Sequence, residues 1–357
     1  MPTSTGSSDA DLGDQLAGRV RAASAEQAAL RIVGGDSKAW YGRQTGGEVL
    51  DISGHRGVVA YEPSELVITA RAGTPVIEIE ALLARHGQTL AFEPPVFAAV
   101  STIGGAVAAG LAGPARPFAG AVRDFVLGVR VLDGRGRSLR FGGTVFKNVA
   151  GFDAFRLMAG AMGCLGVLLE ASLRVTPAPV ALIALTFEVD WPAARSRLAP
   201  LMRRPLPVTG ACHDGQRLHL RLCGPEAGVK LAARDLGGEE ERPAFWDGVR
   251  HMTHGLLAAP RLWRLSVPQS AEIAHLDGRW FWDWGGAQAW LVTDEPAERV
   301  RALAAGAGGH ATLFRGAEPG EAVFTPLAAP LLALHRRLKH AFDPQGVLNP
   351  GRMYEGL

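Results

Sequence analysis

Two glycine-rich stretches carry residue types suited to holding a phosphate. The first, Gly34, Gly35, Asp36, Ser37 and Lys38, follows the apolar run Leu30–Val33. The second, Ser101, Thr102, Ile103, Gly104 and Gly105, opens the small-residue run 106–113. Glycine lets backbone come within contact distance of a ligand. Hydroxyls at Ser101 and Thr102 beside free amides at Gly104 and Gly105 would form an anion-binding nest, and a strand running into Gly-Gly, Ser and Lys would form another. Each also has a plain reading: close packing at a helix–sheet crossing for the second, a strand-to-loop turn for the first. Neither has the spacing of a P-loop or of the dinucleotide-binding G-x-G-x-x-G fingerprint. A third run of the same character, containing Lys147, Asn148 and Gly151, leads to Gly163, Gly166 and Val167.

The elements that must position these loops follow from periodicity. Leu12, Leu16, Val20 and Ala23 recur at helical spacing and predict a helix between Asp11 and Ala29, after a disordered lead over 1–10. Short strands are expected at 30–33, 49–52, 58–61, 66–71 and 89–92, with a helix over 75–86 closed by Gly87. Runs 126–132 and 138–141 flank Asp133-Gly134 and predict a hairpin. A short helix over 155–161, a strand over 167–175, and Pro177 and Pro179 at a domain boundary complete this part. Beyond it, strands at 182–189, 217–222, 287–292 and 310–315 alternate with helices at 193–202, 229–236 and 296–305. That repeat suits a ferredoxin-like α+β domain. A final helix over 328–341 leads into a compact tail.

Composition narrows the function. A chain of 357 residues implies two or three units, and 47% hydrophobic with 20% charged residues describes an ordinary globular protein. A net charge of +2 offers no broad field for nucleic acid or acidic lipid. Three scattered cysteines, Cys164, Cys212 and Cys223, support neither a disulfide framework nor an iron–sulfur or zinc site, so the reducing cytoplasm is the simplest home. The start lacks signal-peptide character, and no apolar run reaches the roughly 18 residues of a membrane span. Membrane association is expected to be peripheral at most.

Ile32–Ser37, Glu62–Val67 with Ala72–Thr74, Ser101–Gly105, Gly113–Arg116, Gly120–Asp124, Gly163–Gly166 and the tail Phe342–Gly351 together resemble the FAD-binding oxidases of the vanillyl-alcohol oxidase and p-cresol methylhydroxylase (PCMH) type. The likeness spans almost the whole chain. Within that family, the runs 116–124 and 147–153 and the short length resemble the E subunits of bacterial glycolate oxidase. The resemblance implies a two-part PCMH-type FAD-binding domain over 11–178. It also implies a smaller cap-like α+β domain over 179–327, and a helix and tail over 328–357 that return to the flavin. Gly34 to Lys38 and Ser101 to Gly105 would line the FAD pyrophosphate. Arg116, Gly120, Arg123 and Asp124 would surround the ribityl region, although Arg123 and Asp124 also read as a surface pair. Gly163, Gly166 and Val167 would pack near the flavin or adenine, and Asn349 would approach the isoalloxazine. Pro94, Lys147, Asn148 and Gly151 complete the candidate set.

The resemblance further implies partners: a larger FAD-binding subunit and an iron–sulfur subunit, oxidising glycolate to glyoxylate and passing electrons to the respiratory chain. The family's covalent flavin histidine has no counterpart in Gly34–Ser37, and no cysteine stands in 92–97, so FAD is expected to be noncovalent. His213, His219, His251 and His254 form no recognisable metal motif and read as strand or surface residues. Arg261, Arg264 and Arg279 could hold a carboxylate, but no base for the hydroxyl proton is evident. The chain alone is therefore expected to relay electrons or complete a complex rather than oxidise glycolate. A stand-alone 2-hydroxy-acid or alcohol dehydrogenase and a flavin-free assembly subunit are the alternatives. The run 280–284, with three tryptophans, fits either a second-domain core or an interface anchor.

Overall fold

The computed structural model describes residues 10–143, 153–273 and 276–357. Helix α1 (Gly13–Glu26) buries the stripe Leu16, Val20 and Ala23 that its spacing predicts. Strand β1 (Leu30–Val33) pairs in parallel with β2 (Glu48–Asp51). Next come β3 (Val58–Glu62), β4 (Val67–Arg71), α2 (Val76–Ala84), the short β5 (Gln88–Thr89), α3 (Ile103–Ala109), α4 (Arg116–Ala119) and α5 (Val122–Phe125). The hairpin β6 (Val126–Leu132) and β7 (Ser138–Gly142) forms as expected, followed by β8 (Val167–Arg174) and β9 (Thr176–Pro177).

Strands β3, β4, β6, β7 and β8 make a five-stranded antiparallel sheet in the order β3-β4-β8-β6-β7. Its central strand β8 is buried over seven of eight residues, which is why Val167-Leu168-Leu169 reads as a continuous apolar run rather than an alternating one. The strand expected at 89–92 stops at Thr89; Leu90 and Phe92 instead plug the core from a loop.

The second sheet is larger than the sequence suggested. Strand β10 (Ala181–Glu188), α6 (Trp191–Leu201), β11 (Val208–His213), β12 (Arg217–Gly224), α7 (Glu226–Leu236) and β13 (Glu239–Glu241) form one unit. Helix α8 (Ala244–Arg250), β14 (Leu262–Ser266), β15 (Arg279–Asp283), β16 (Gln288–Val292), α9 (Ala297–Gly306) and β17 (His310–Arg315) form another. The eight strands lie in the order β13-β10-β12-β11-β15-β16-β14-β17. Numbered within its unit, each half has the order 4-1-3-2 of a ferredoxin-like sheet. Two such units therefore stand edge to edge, joined by one pairing, His213 with Trp282. Between β14 and β15, where the first unit carries α6, no helix occurs among the described residues.

Helices α6 and α7 pack on one face of this sheet with Leu185, Leu218 and Leu220, and α9 packs beside them with Leu265 and Leu291. The opposite face meets the first half of the chain through Phe281, Trp290 and Phe314 against Tyr41, Leu111 and Met162. The tryptophan-rich run thus belongs to the core: β15 sends Trp280 and Trp282 to the helix side, where Trp282 stacks between Trp280 and Trp191, and Phe281 to the seam. Helix α10 (Ala329–Phe342) then carries the chain back over the first half.

Candidate flavin site

The C-terminal tail holds the site together. Leu30 N donates to Val347 O at 2.7 Å and Asn349 N to Leu30 O at 2.9 Å, so the tail runs along β1. Below it Lys339, buried, donates to Cys164 O at 2.8 Å, Leu348 O at 2.7 Å and Asp343 Oδ2 at 2.8 Å. An ammonium in this position is stable because every proton has an oxygen.

The first loop leaves β1 and lies hard against the second. Ser37 and Ser101 hydroxyls meet at 2.8 Å. A Cβ on Gly35 would stand 1.7 Å from Val100 O, and one on Gly34 would stand 2.5 Å from Thr102 Oγ1, so neither position can carry a side chain. Asp36 turns the loop with φ +48° and its exposed carboxylate accepts from Arg31 at 3.1 Å. Among the described residues, no acceptor pairs with the backbone amides of Gly34 to Lys38.

The second loop corrects an expectation. Its amides are not free: Gly104 N donates to Ala72 O at 2.8 Å, and Gly105 N to the Thr102 hydroxyl at 3.2 Å, where Thr102 caps α3. Ser101 and Ile103 are fully buried. The unpaired amides belong to the first loop, and the second supplies the wall it rests on.

Lys38 completes the cleft. Its ammonium lies 5.7 Å from the Phe97 ring centroid and makes no hydrogen bond or ion pair with any described residue. Burial without a counter-charge pushes it down to about 8. The cleft is lined by Gly34 to Lys38, Thr102, Gly105, Met162, Asn349 and Arg352, among others. Arg352, missed in the sequence, clamps the far side: it donates to Arg43 O at 3.0 Å, Lys38 O at 3.2 Å and Tyr41 O at 2.6 Å. Its signal was only a lone arginine in a tail of turns.

Other candidates stand elsewhere. Asn349 lines the cleft but its amide is engaged with backbone, accepting from Ile32 N at 2.8 Å and donating to Met162 O at 2.7 Å. Gly163 sits behind it, where a Cβ would come within 2.6 Å of Asn349 Nδ2. Gly166 packs against Leu132 O, and Val167 is buried in the sheet. Asp124 caps its own helix at Ala121 N and faces Arg156; Arg123 is exposed, and Gly120 precedes that helix, so these three lie outside the cleft. Pro94 O accepts from Arg250, and Arg116 stacks over Trp284 at 4.4 Å, placing both at the seam between the sheets. Lys147, Asn148 and Gly151 lie outside the described residues.

That seam holds a carboxyl the sequence reading overlooked. Asp283 is buried, accepts from Trp284 N at 2.7 Å and from Gln288 Nε2 at 3.5 Å, and is raised to about 7, chiefly by burial. Arg264, Gln288 and Asp283 border one small cavity there. Across the seam Glu93 pairs with Arg221 at 2.7 Å. The histidines serve structure: His213 bonds Val189 O at 2.8 Å, His219 sits between Asp214 and Glu241, and His251 accepts from Val96 N at 3.1 Å.

Comparison with known proteins decides the family. Residues 13–142 match the FAD binding domain family, and 324–353 match the C-terminal domain of FAD linked oxidases. The glycolate oxidase subunit GlcE of Escherichia coli (strain K12) is 47% identical over 98% of this chain and 99% of its own length. The chain belongs to the glycolate oxidase E-subunit family. Its cofactor is accordingly FAD. More distantly, the glycolate oxidase subunit GlcD of Bacillus subtilis (strain 168) is 33% identical over 38% of this chain and 28% of its own length. Solved alkyldihydroxyacetonephosphate synthase shares the fold, with TM-score 0.65 and 14% identity over 94% of this chain and 75% of the other. The E-subunit fold is thus an FAD-linked oxidase fold, and the cleft suits such a cofactor: a glycine cradle, unpaired amides and an unpaired cation.

Proposed function

We propose that this chain is the FAD-binding E-type subunit of a glycolate-oxidising complex and that it binds FAD noncovalently. Residues 11–178 form the FAD-binding domain, 179–327 the cap, and 328–357 the returning tail. The amides of Gly34 to Ser37 and the Lys38 ammonium would hold the pyrophosphate. When bound, FAD supplies acceptance of a hydride or of electrons. The observation that carries this reading is the half-buried Lys38, a cation with no protein counter-charge in a cleft of unpaired amides. The lining supports noncovalent binding, since among the described residues it includes no histidine or cysteine.

The same lining offers no free carboxylate base for a hydroxyl proton, since its one carboxylate, Asp36, is exposed and engaged with Arg31, and Lys38 would be held charged by the pyrophosphate. The chain therefore relays electrons between a larger flavin subunit that oxidises glycolate and an iron–sulfur subunit. No helix among the described residues is long and apolar enough to cross a membrane, so contact with a membrane would come through the complex.

One observation favours a second reading, a 2-hydroxy-acid dehydrogenase in its own right. Asp283 could take a hydroxyl proton while Arg264, on the same small cavity, held a carboxylate. Anaerobic glycolate added to the purified chain separates the two. Unbleached flavin supports the relay, and bleaching that Asp283→Asn abolishes supports the second reading.

A further inference from the structure

Among the described residues, the polar side chains that line the flavin cleft are engaged within the protein, with two exceptions. The Ser37 and Thr102 hydroxyls, the Asn349 amide, the Arg352 guanidinium and the Arg31–Asp36 pair make the contacts described above. The Tyr41 hydroxyl accepts from Arg264 at 3.3 Å. Lys38 is the first exception. The second is Thr45, whose hydroxyl oxygen is buried and has no hydrogen-bond partner. A hydroxyl taken out of water without a partner is unfavourable, and an apolar group of the same shape would suit such a place as well or better.

The loop that carries Thr45 is anchored on both sides of it. On one side Arg43 N donates to Arg352 O at 2.9 Å, and Arg352 donates back to Arg43 O at 3.0 Å. On the other, Glu48 N donates to Ala29 O at 2.9 Å where β2 begins. Gly47 permits that close return: its φ is +112°, and a Cβ there would stand 2.4 Å from Ala29 O. The fold thus sets where the Thr45 side chain stands, as a ligand contact requires.

We infer that Thr45 is a further cofactor-binding residue, its hydroxyl donating a hydrogen bond to an oxygen or nitrogen of FAD from the loop between β1 and β2. The inference rests on the reading of this cleft as the flavin site. The occupant of the cleft is what remains to satisfy the hydroxyl, as it is for Lys38. The two groups differ in kind: Lys38 brings a charge, and Thr45 a neutral donor that does not titrate between pH 7 and pH 9.

FAD titrations of the full chain, followed by flavin fluorescence, test this with two substitutions. Thr45→Val keeps the shape and removes the hydroxyl, so it should weaken FAD binding by about three- to tenfold, the factor for one net hydrogen bond. Thr45→Ser restores the hydroxyl and should recover most of that loss. Before FAD is added, Thr45→Val should unfold at a urea midpoint equal to or above that of wild type, because the hydroxyl has no partner in the protein to lose. The weakening should be the same at pH 7 and pH 9, unlike that of Lys38→Met. Thr45→Val that binds FAD as tightly as wild type would overturn the inference and leave the cleft assignment standing. A lower urea midpoint together with weaker binding, without recovery in Thr45→Ser, would assign the side chain to the fold and likewise overturn it. Wild type that binds no FAD would remove the cleft assignment itself, and this inference with it.

Discussion

The side-chain amide of Asn349 donates to the carbonyl of Met162 at 2.7 Å, and both residues hold left-handed backbone, with φ of +42° and +51°. Through its oxygen Asn349 also accepts from Ile32 N, so one side chain ties the tail to β1 and to the turn before β8. Left-handed conformations in residues other than glycine are costly and persist where surroundings enforce them. Here they border the cleft. Asn349→Ala would orphan the part-buried amide of Ile32 and the buried carbonyl of Met162 and should destabilise the protein by about 2–4 kcal/mol. Urea unfolding measures this, and a loss below about 0.5 kcal/mol would contradict the role assigned to the tail.

Lys38 should govern cofactor affinity. Replacing a charge-assisted contact costs about 1.5–3 kcal/mol, so Lys38→Met is expected to weaken FAD binding by roughly ten- to a hundredfold with the fold retained. The free lysine sits at about 8, so it is charged below that pH and neutral above it. FAD should therefore bind more tightly at pH 7 than at pH 9, with the difference absent in Lys38→Met. Fluorescence titration at the two pH values checks both statements.

The two loops make opposite predictions for glycine. At Gly35 a Cβ would collide with the Val100 carbonyl, so Gly35→Ala should separate the loops and lose both FAD and stability. At Gly105 a Cβ would stand 3.2 Å from Thr102 Oγ1 and 3.9 Å from Lys38 Nζ, facing the cleft. Gly105→Ala should fold normally, melting within a few degrees of wild type, and bind FAD more weakly. Equal effects of the two substitutions on melting temperature would contradict this division.

Asp283 sets a pH dependence of stability. Its carboxyl is raised to about 7 in the fold, above its ordinary value of 3.8, so the folded state binds a proton the unfolded chain releases. Stability from this group is full below about pH 4 and is lost as pH rises through about 7. Asp283→Asn should remove that dependence and melt above wild type at pH 8. Melting curves from pH 5 to pH 8 are the check, and parallel curves for the two proteins would refute it.

The glycine loops were legible because cradle residues are contiguous in sequence. Which amides are free was not, since Gly104 N is satisfied by Ala72, thirty-two positions away, and only the fold brings the two together. Arg116, Gly120, Arg123 and Asp124 fall within one short segment, 116–124, yet Arg116 turns to Trp284 while Arg123 and Asp124 turn to solvent. The second ferredoxin-like unit escaped notice because β14 and β15 carry large apolar residues on both faces, Trp263, Trp280 and Trp282 toward the helices and Leu262 and Phe281 toward the seam, which hides the period of two. Asp283 was hidden in the same way, as one acid within an aromatic strand. The helix α10 was legible as a helix.

The most direct measurement is the absorption spectrum of the purified single chain, offered FAD, then made anaerobic and given glycolate. The account predicts a yellow protein whose flavin bands survive denaturation-and-filtration only in the filtrate, as free FAD. It also predicts that glycolate leaves the bands unbleached until the larger flavin subunit is added. A protein that stays colourless after FAD has been offered would contradict the assignment of the Gly34–Lys38 cleft to the cofactor.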